Sequence, residues 1–429
     1  MEDTGLEQQA LAHVDKCNRC GFCRGVCPLL EEIGAESGAP RGRVFLAGQI
    51  LTGAMPMTLA VADRLGRCLV CRHCTAFCPL GVRVDLVMMA ARSRMARTLG
   101  EDRLKGALLK TLACRWNATS SMLPVLAVLQ GIVLRRSATD EEPPGPDGLV
   151  RPVGPARSVG PAGPVGSIRP VSSVRSTGPA RPRVAFFAGC FVNFVAPEVG
   201  RATLRVLEEN GVKVLVPERQ TCCGTPMLAA GNLSRALPAI RQNIDTLLAE
   251  KPDAIVTSCA SCGTSLKEWW EDILTTEGDE VYLAKAREIA RRTFDISEFL
   301  AEQVDLKTPP ALQTPLKVTY HDACHLVHGR NIRSQPRQIL QKIPGLTLVE
   351  MPGADECCGC GGLFSYSEYA LAKKVNARKI KNIALTGADA VVSGCPGCNL
   401  QIRDGLNRFQ VAGRVLHTVE VLDQAYRGE

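Results

Sequence analysis

Cys17-Asn18-Arg19-Cys20-Gly21-Phe22-Cys23-Arg24-Gly25-Val26-Cys27-Pro28 spaces four cysteines as C-x2-C-x2-C-x3-C-P, and the same pattern returns as Cys68-Leu69-Val70-Cys71-Arg72-His73-Cys74-Thr75-Ala76-Phe77-Cys78-Pro79. Three thiols so spaced on one turning loop can grip three irons of a cubane, and in two-cluster proteins the fourth, before proline, reaches the other cluster. By that rule Cys17, Cys20, Cys23 and Cys78 hold one [4Fe-4S] centre, and Cys68, Cys71, Cys74 and Cys27 hold a second. Zinc is the competing reading, but a zinc site takes its four ligands as separated pairs. The stretch between the runs is longer than in a compact ferredoxin, and residues 42–50 look helical. A helix-rich two-cluster ferredoxin domain is expected over residues 1–100.

Further along, Cys190, Cys222-Cys223-Gly224, Cys259 and Cys262 are followed by Cys324, Cys357-Cys358-Gly359, Cys395 and Cys398. Around them Arg183–Cys190 matches Lys317–Cys324, Cys222–Gly224 matches Cys357–Gly359, and Ala254–Cys259 matches Ala390–Cys395, at offsets of 134, 135 and 136. A near-constant offset over three separate motifs is the mark of an internal duplication. Short β-branched runs (184–187, 212–216, 254–257) alternate with helical stretches (197–209, 234–250), the βαβ pattern of a parallel sheet. Ligands of such sheets bind beyond the carboxyl ends of strands, where Cys190, Cys259, Cys324 and Cys395 fall. Adjacent cysteines project to opposite sides unless the backbone turns sharply, and the following glycine supplies the freedom in φ for such a turn. Cys259-Ala260-Ser261-Cys262 and Cys395-Pro396-Gly397-Cys398 each precede a helix whose amino end favours thiolate and sulfide charge. Each set of five thiols is therefore expected to hold metal, as one or two further iron–sulfur clusters with non-cubane forms open. A lone C-x2-C would equally suit a thioredoxin-like dithiol. Cys114 is expected to be a small buried hydrophobe; Cys360 and the group His321, His325 and His328 lie beside the second set with roles left open.

The chain has 429 residues, 45% of them hydrophobic and 22% charged, so two or three globular units are expected and wholesale disorder is excluded. Aromatic residues make up only 4%, which argues against stacking platforms for single-stranded nucleic acid. The net charge of +8 is mostly local: residues 143–183 hold six arginines against one acid, with repeated Val-Gly-Pro and Arg-Pro phrases, the composition of an extended linker. The expected division is therefore α+β and multidomain: a ferredoxin domain over 1–100, a helical extension over 101–139, a Pro/Gly/Arg-rich linker over 140–182, and α/β CCG domains over 183–310 and 311–429. The apolar run Met122–Leu134 is thirteen residues long, short of the about 20 that span a bilayer. Arg135 and Arg136 follow it, which leaves in-plane membrane contact as an alternative to core packing. The acidic start Met1–Gly5 lacks the basic region and apolar core of a secretory signal, so a reducing cytoplasm is expected, with the inner membrane face as the alternative.

These residues resemble a known family. The paired Cys-Cys-Gly repeats look like the cysteine-rich domain of heterodisulfide reductase. Joined to the double ferredoxin motif, they are similar in order to the iron–sulfur subunit of glycolate oxidase and to the cluster-bearing subunit of anaerobic glycerol-3-phosphate dehydrogenase. Cys20–Cys23, Pro40–Val44 and Cys68–Cys74 carry the likeness to the glycolate oxidase subunit. Several of those subunits lack part of the final cysteine set, whereas this chain keeps all ten cysteines of the two sets. The resemblance implies an electron-transfer subunit of a glycolate or lactate dehydrogenase, partnered with an FAD-containing subunit and passing electrons toward a quinone or other carrier. The residues agree on that division of labour: no dinucleotide fingerprint, P-loop, nucleophile triad or independent substrate site is evident, and a two-electron oxidation needs a cofactor such as flavin. The alternatives are a disulfide reductase acting at the CCG sets and, from another class, a cluster-bearing scaffold or sensor with a basic linker; no nucleic-acid partner is expected.

Overall fold

The computed structural model describes residues 4–100 and 182–429. The anticipated extension over 101–139, with Cys114 and the Met122–Leu134 run, lies outside the described residues, as does the linker up to residue 181.

Residues 4–100 form helices Thr4–Asp15, Pro40–Leu51, Leu59–Gly66 and Val84–Leu99, with single turns between them at the cysteine runs. The helix expected over 42–50 begins at Pro40, where a missing N–H costs nothing and φ is already helical. Val84–Leu99 is the spine of this unit. Its residues 84–93 are all buried, and helices Thr4–Asp15 and Pro40–Leu51 pack along it. Arg92 on this spine is buried; its guanidinium donates to the carbonyls of Leu65 (3.2 Å), Gly66 (2.8 Å) and Cys68 (2.7 Å), closing the approach to the second cysteine run.

The second half contains two four-stranded parallel sheets. Strands β1 (Arg183–Phe186), β2 (Lys213–Leu215), β3 (Ala254–Thr257) and β4 (Thr293–Asp295) lie in the order β2-β1-β3-β4. Strands β5 (Leu316–His321), β6 (Leu346–Val349), β7 (Ala390–Ser393) and β8 (Arg414–His417) repeat it as β6-β5-β7-β8. The register repeats as well: Val184 opposes Ala254 as Val318 opposes Ala390. In each sheet the chain leaves the first strand to one side and returns on the other, so the strand order reverses beside β1 and β5. That reversal opens a crevice at the carboxyl ends of β1/β3 and β5/β7.

The two units pack as near copies. Helix Pro197–Glu209 of the first lies on Thr418–Tyr426 of the second, and Ser334–Gln341 of the second lies on Ile296–Glu302 of the first. Each pair joins equivalent elements in exchanged roles, the relation a local two-fold axis produces. Arg205 pins one pair through a two-pronged contact with Asp423, at 2.7 and 2.6 Å. Capping boxes repeat too: Asp295 with Glu298, and His417 with Glu420, start the helices that follow β4 and β8.

A long linker suggests halves that share few contacts, and in this the structure differs. One apolar core runs through the N-terminal helices and both sheets. Buried Asp85 receives Trp269 Nε1 at 3.0 Å and pairs with Arg72 and Arg83, while Arg83 also reaches Asp272 at 2.9 Å. On the other side Arg378 pairs with Glu31 and donates to the Pro28 carbonyl. Linker length sets how far two units can separate; it does not set how much complementary surface they carry. Among the described residues no helix is long and apolar enough to cross a membrane.

Candidate metal centres

Each N-terminal cysteine run turns through two left-handed residues: Arg19 and Gly21 in the first, Val70 and Arg72 in the second. A β-branched residue such as Val70 rarely adopts this conformation. It is held there by its surroundings, since His325 Nε2 lies 3.0 Å from the Val70 carbonyl and Arg72 is ion-paired to Glu268 at 2.5 Å. The turns curl both runs around hollows. One is lined by Cys17, Cys20, Cys23 and Cys78, together with Cys74. The other is lined by Cys27, Cys68, Cys71 and Cys74. The fourth cysteine of each run thus stands with the first three of the other.

The surroundings of the second hollow fit an anionic group. Arg43 is 2% exposed, its Nη1 lies 3.8 Å from Cys27 Sγ, and its Nε and Nη2 have no partner. A buried guanidinium left so short of acceptors is costly, and a sulfide-rich anion would supply them. Burial pushes the Cys27 thiol up and the Cys74 thiol well up, so the thiolate form needs a cation at the site.

In the first CCG set, Cys190 Sγ lies 3.7 Å from Cys222 Sγ, and the thiols of Cys222, Cys223, Cys262 and Cys259 follow within hydrogen-bonding reach of one another. The second set repeats the path through Cys324, Cys357, Cys358, Cys398 and Cys395. Gly224 and Gly359 adopt φ of 91° and 88°, the sharp turn expected after each doublet, and a Cβ on Gly359 would meet the Ala372 carbonyl oxygen at 2.6 Å. Cys259 and Cys395 cap the helices that begin at Ala260 and Pro396. Mutual hydrogen bonding first, and burial second, push the thiols of Cys222, Cys324 and Cys398 well above their ordinary values. Hydrogen bonds from neighbouring thiols push Cys223, Cys358 and Cys395 well down, so each set mixes thiol and thiolate character, a donor chemistry that fits a metal–sulfur group.

Other residues hold these turns and were not evident from sequence. Asn243 accepts from the Thr221 N–H (2.7 Å) and donates to the Cys222 carbonyl (2.9 Å), while Asn376 donates to the Cys358 carbonyl (3.0 Å). Trp270 Nε1 and Ser265 Oγ both donate to the Cys223 carbonyl at 2.8 Å. A buried asparagine in mid-helix was the available signal. Cys360 belongs beside the second set: a Cβ built on Gly397 would lie 3.5 Å from its Sγ and 3.9 Å from that of Cys395. At the offset of the doublets its counterpart in the first set is Thr225, whose hydroxyl sits 3.2 Å from Cys223 Sγ.

The three histidines separate. His325 Nδ1 meets Ser261 Oγ at 3.1 Å, and His328 Nε2 lies 3.0 Å from the Asp355 carbonyl while its ring stacks on His73 with centroids 3.8 Å apart. His321, the last residue of β5, is wholly buried with neither ring nitrogen in a well-formed hydrogen bond, and burial together with the Lys379 ammonium pushes its pKa down to about 3.

The four thiol groups are not isolated. Cys71 of the second N-terminal run reaches Cys357, and Cys395 reaches Cys259 across the two CCG units. A helical two-cluster module docked on duplicated cysteine-lined sheets defines an iron–sulfur electron-transfer subunit. The family described as "4Fe-4S dicluster domain" matches residues 13–82, and that described as "Cysteine-rich domain" matches 184–267 and 318–403. The "Probable glycolate oxidase iron-sulfur subunit" of Bacillus subtilis is 31% identical over 95% of this chain and 93% of its own length. The chain belongs to the family of glycolate oxidase iron–sulfur subunits. The "Glycolate oxidase iron-sulfur subunit" of Escherichia coli is 27% identical over 96% of this chain and 94% of its own length. One subunit of a "Fumarate reductase (CoM/CoB)" from Methanothermobacter marburgensis is 39% identical over 57% of this chain, which spans 46% of that protein.

Proposed function

We propose that this chain carries electrons from an FAD-containing partner subunit that oxidises a 2-hydroxy acid, glycolate or lactate, toward a quinone or another carrier. The ligands in this reading are Cys17, Cys20, Cys23 and Cys78 for one [4Fe-4S] centre and Cys68, Cys71, Cys74 and Cys27 for the other. Cys190, Cys222, Cys223, Cys259 and Cys262 hold the first CCG centre, and Cys324, Cys357, Cys358, Cys395 and Cys398 the second, within the domain boundaries expected above. Bound there, such clusters supply one-electron transfer. The protein's own part is to keep the donors close, charge-balanced and dry. The observation that carries the reading is that the thiol sets adjoin: Cys71 and Cys357 are buried in one apolar cluster, the Cys259 and Cys395 thiols shift each other's pKa across the two CCG units, and Cys190 lies 3.7 Å from Cys222. Cys20 of the first N-terminal run is exposed, whereas Cys71, Cys357, Cys259 and Cys395 are buried. Purification of the native complex tests it: a flavoprotein companion and glycolate- or lactate-dependent dye reduction are expected, and a preparation with neither would overturn it.

A second reading, reduction of a disulfide between the CCG centres, is favoured by one observation. Cys259 and Cys395 meet where the two sets face each other. Reduced protein releasing stoichiometric thiol from added disulfide would select this reading.

A further inference from the structure

His321 closes β5 at the point where its equivalent in the first unit, by the Arg183/Lys317 offset, is Phe187. Both side chains are wholly buried. Phe187 does what a core aromatic does, packing its edge on Trp270 with ring centroids 6.4 Å apart. The fold therefore has no need of an imidazole here. Yet the second unit keeps one, and neither of its nitrogens makes a well-formed hydrogen bond, because the Ala354 carbonyl beside it already accepts from the Asp322 N–H and the Lys379 ammonium, an arrangement that leaves buried polar atoms short of partners at appreciable cost. One ring nitrogen and the Sγ atoms of Cys358 and Cys398 all lie within 4.8 Å of one another, and all three residues are buried. Such a separation lets one metal ion touch all three donors.

We propose that His321 is an imidazole ligand of the metal centre held by the second CCG set, so that the two CCG centres differ in donors: thiolates alone in the first, thiolates with one imidazole in the second. The inference rests on the reading that this set holds an iron–sulfur centre. The second site departs from the first in other ways. Lys379 is buried, donating to the carbonyls of Gly353 (2.5 Å) and Ala354 (3.2 Å), and it faces Cys357 and Cys358. Aligned through Asn376 and Asn243, its place in the first unit is taken by the neutral Thr246. A neutral imidazole adds a donor without adding negative charge, and the buried Lys379 ammonium facing Cys357 and Cys358 makes the surroundings of the second centre more positive than those of the first, which raises its reduction potential. The second centre is therefore the electron sink of the pair.

The test is pulsed EPR on anaerobically prepared full-length protein, with natural-abundance and ¹⁵N-histidine-labelled samples poised by graded reduction. The expected result is a directly bonded nitrogen coupling on one CCG signal that changes with the label. It should be absent from His321→Phe, which copies the first unit, and from His321→Cys, which offers a thiolate in place of the imidazole. The ferredoxin-type signals should persist in both, and the altered centre should titrate at lower potential in His321→Cys. A CCG signal without nitrogen coupling in the wild type, or coupling that survives in either variant, would overturn the ligation while leaving an iron–sulfur centre in place. Metal analysis showing iron in the N-terminal pair alone, with no CCG signal, would instead overturn the underlying reading and the ligation with it.

Discussion

Cys71 and Cys357 are buried in one apolar cluster, which sets the second ferredoxin-type run against the first cysteine of the second doublet. On the proposed reading, electrons leaving the N-terminal pair meet the second CCG set before the first. Replacing Cys357 by Ser should slow re-oxidation of the N-terminal clusters by the CCG centres more than replacing Cys190, in the first set. Stopped-flow absorbance of pre-reduced protein checks the order; equal effects would place the junction elsewhere.

Cys78 lines the hollow with Cys17, Cys20 and Cys23, outside its own run. Cys78→Ala is expected to abolish the cluster of the first run and spare that of Cys68, Cys71 and Cys74. EPR under graded reduction distinguishes this from local ligation, in which the second run's cluster would be the one lost.

Gly359 holds φ of 88° with the Ala372 carbonyl 2.6 Å from where a Cβ would stand. Gly359→Ala should cost about 1–3 kcal/mol of strain and displace Cys358 from the second set. Loss of the second CCG signal with retention of the ferredoxin-type signals is the expected spectrum.

Asp85 joins the two halves. Burial opposes its charge, but Arg83 and Arg72, with the Trp269 N–H, outweigh it and hold the carboxyl well below its ordinary value. A depressed folded-state pKa stabilises fully above the unfolded value, about 3.9, and the contribution is lost as pH falls through the folded value. Asp85→Ala leaves Arg72 with Glu268 and Arg83 with Asp272, strips the buried Trp269 N–H of its acceptor, and should cost about 1–3 kcal/mol near neutral pH. Denaturant unfolding across pH should show the gap between wild type and variant closing in acid; a gap that widened there would contradict the assignment.

Much of this is legible in the chain. The spacing of Cys17–Cys27 and Cys68–Cys78, the duplication from Cys190 to Cys398, and the runs that form β1, β3, β5 and β7 all carry local signals. Strands β4 and β8 do not stand out, because three or four edge residues with one charged or polar partner, Thr293–Asp295 and Arg414–His417, make no periodicity. The docking of the halves is hidden for another reason: complementarity between Asp85 and Trp269, or between Arg378 and Glu31, is a property of surfaces brought together from distant segments. Cys360 is legible as a neighbour of the Cys357-Cys358 doublet, but only the fold shows it beside Cys395. The missing partner of His321 likewise exists only in three dimensions.

Substrate electrons, on this account, enter one connected set of centres. The most direct measurement is iron and sulfide analysis of the anaerobically purified native complex, followed by EPR before and after adding glycolate or lactate. The expected result is iron above the about eight per chain that two cubanes need, with ferredoxin-type and CCG signals both changing on substrate addition. Iron of about eight per chain, with spectra unmoved by either acid, would contradict it.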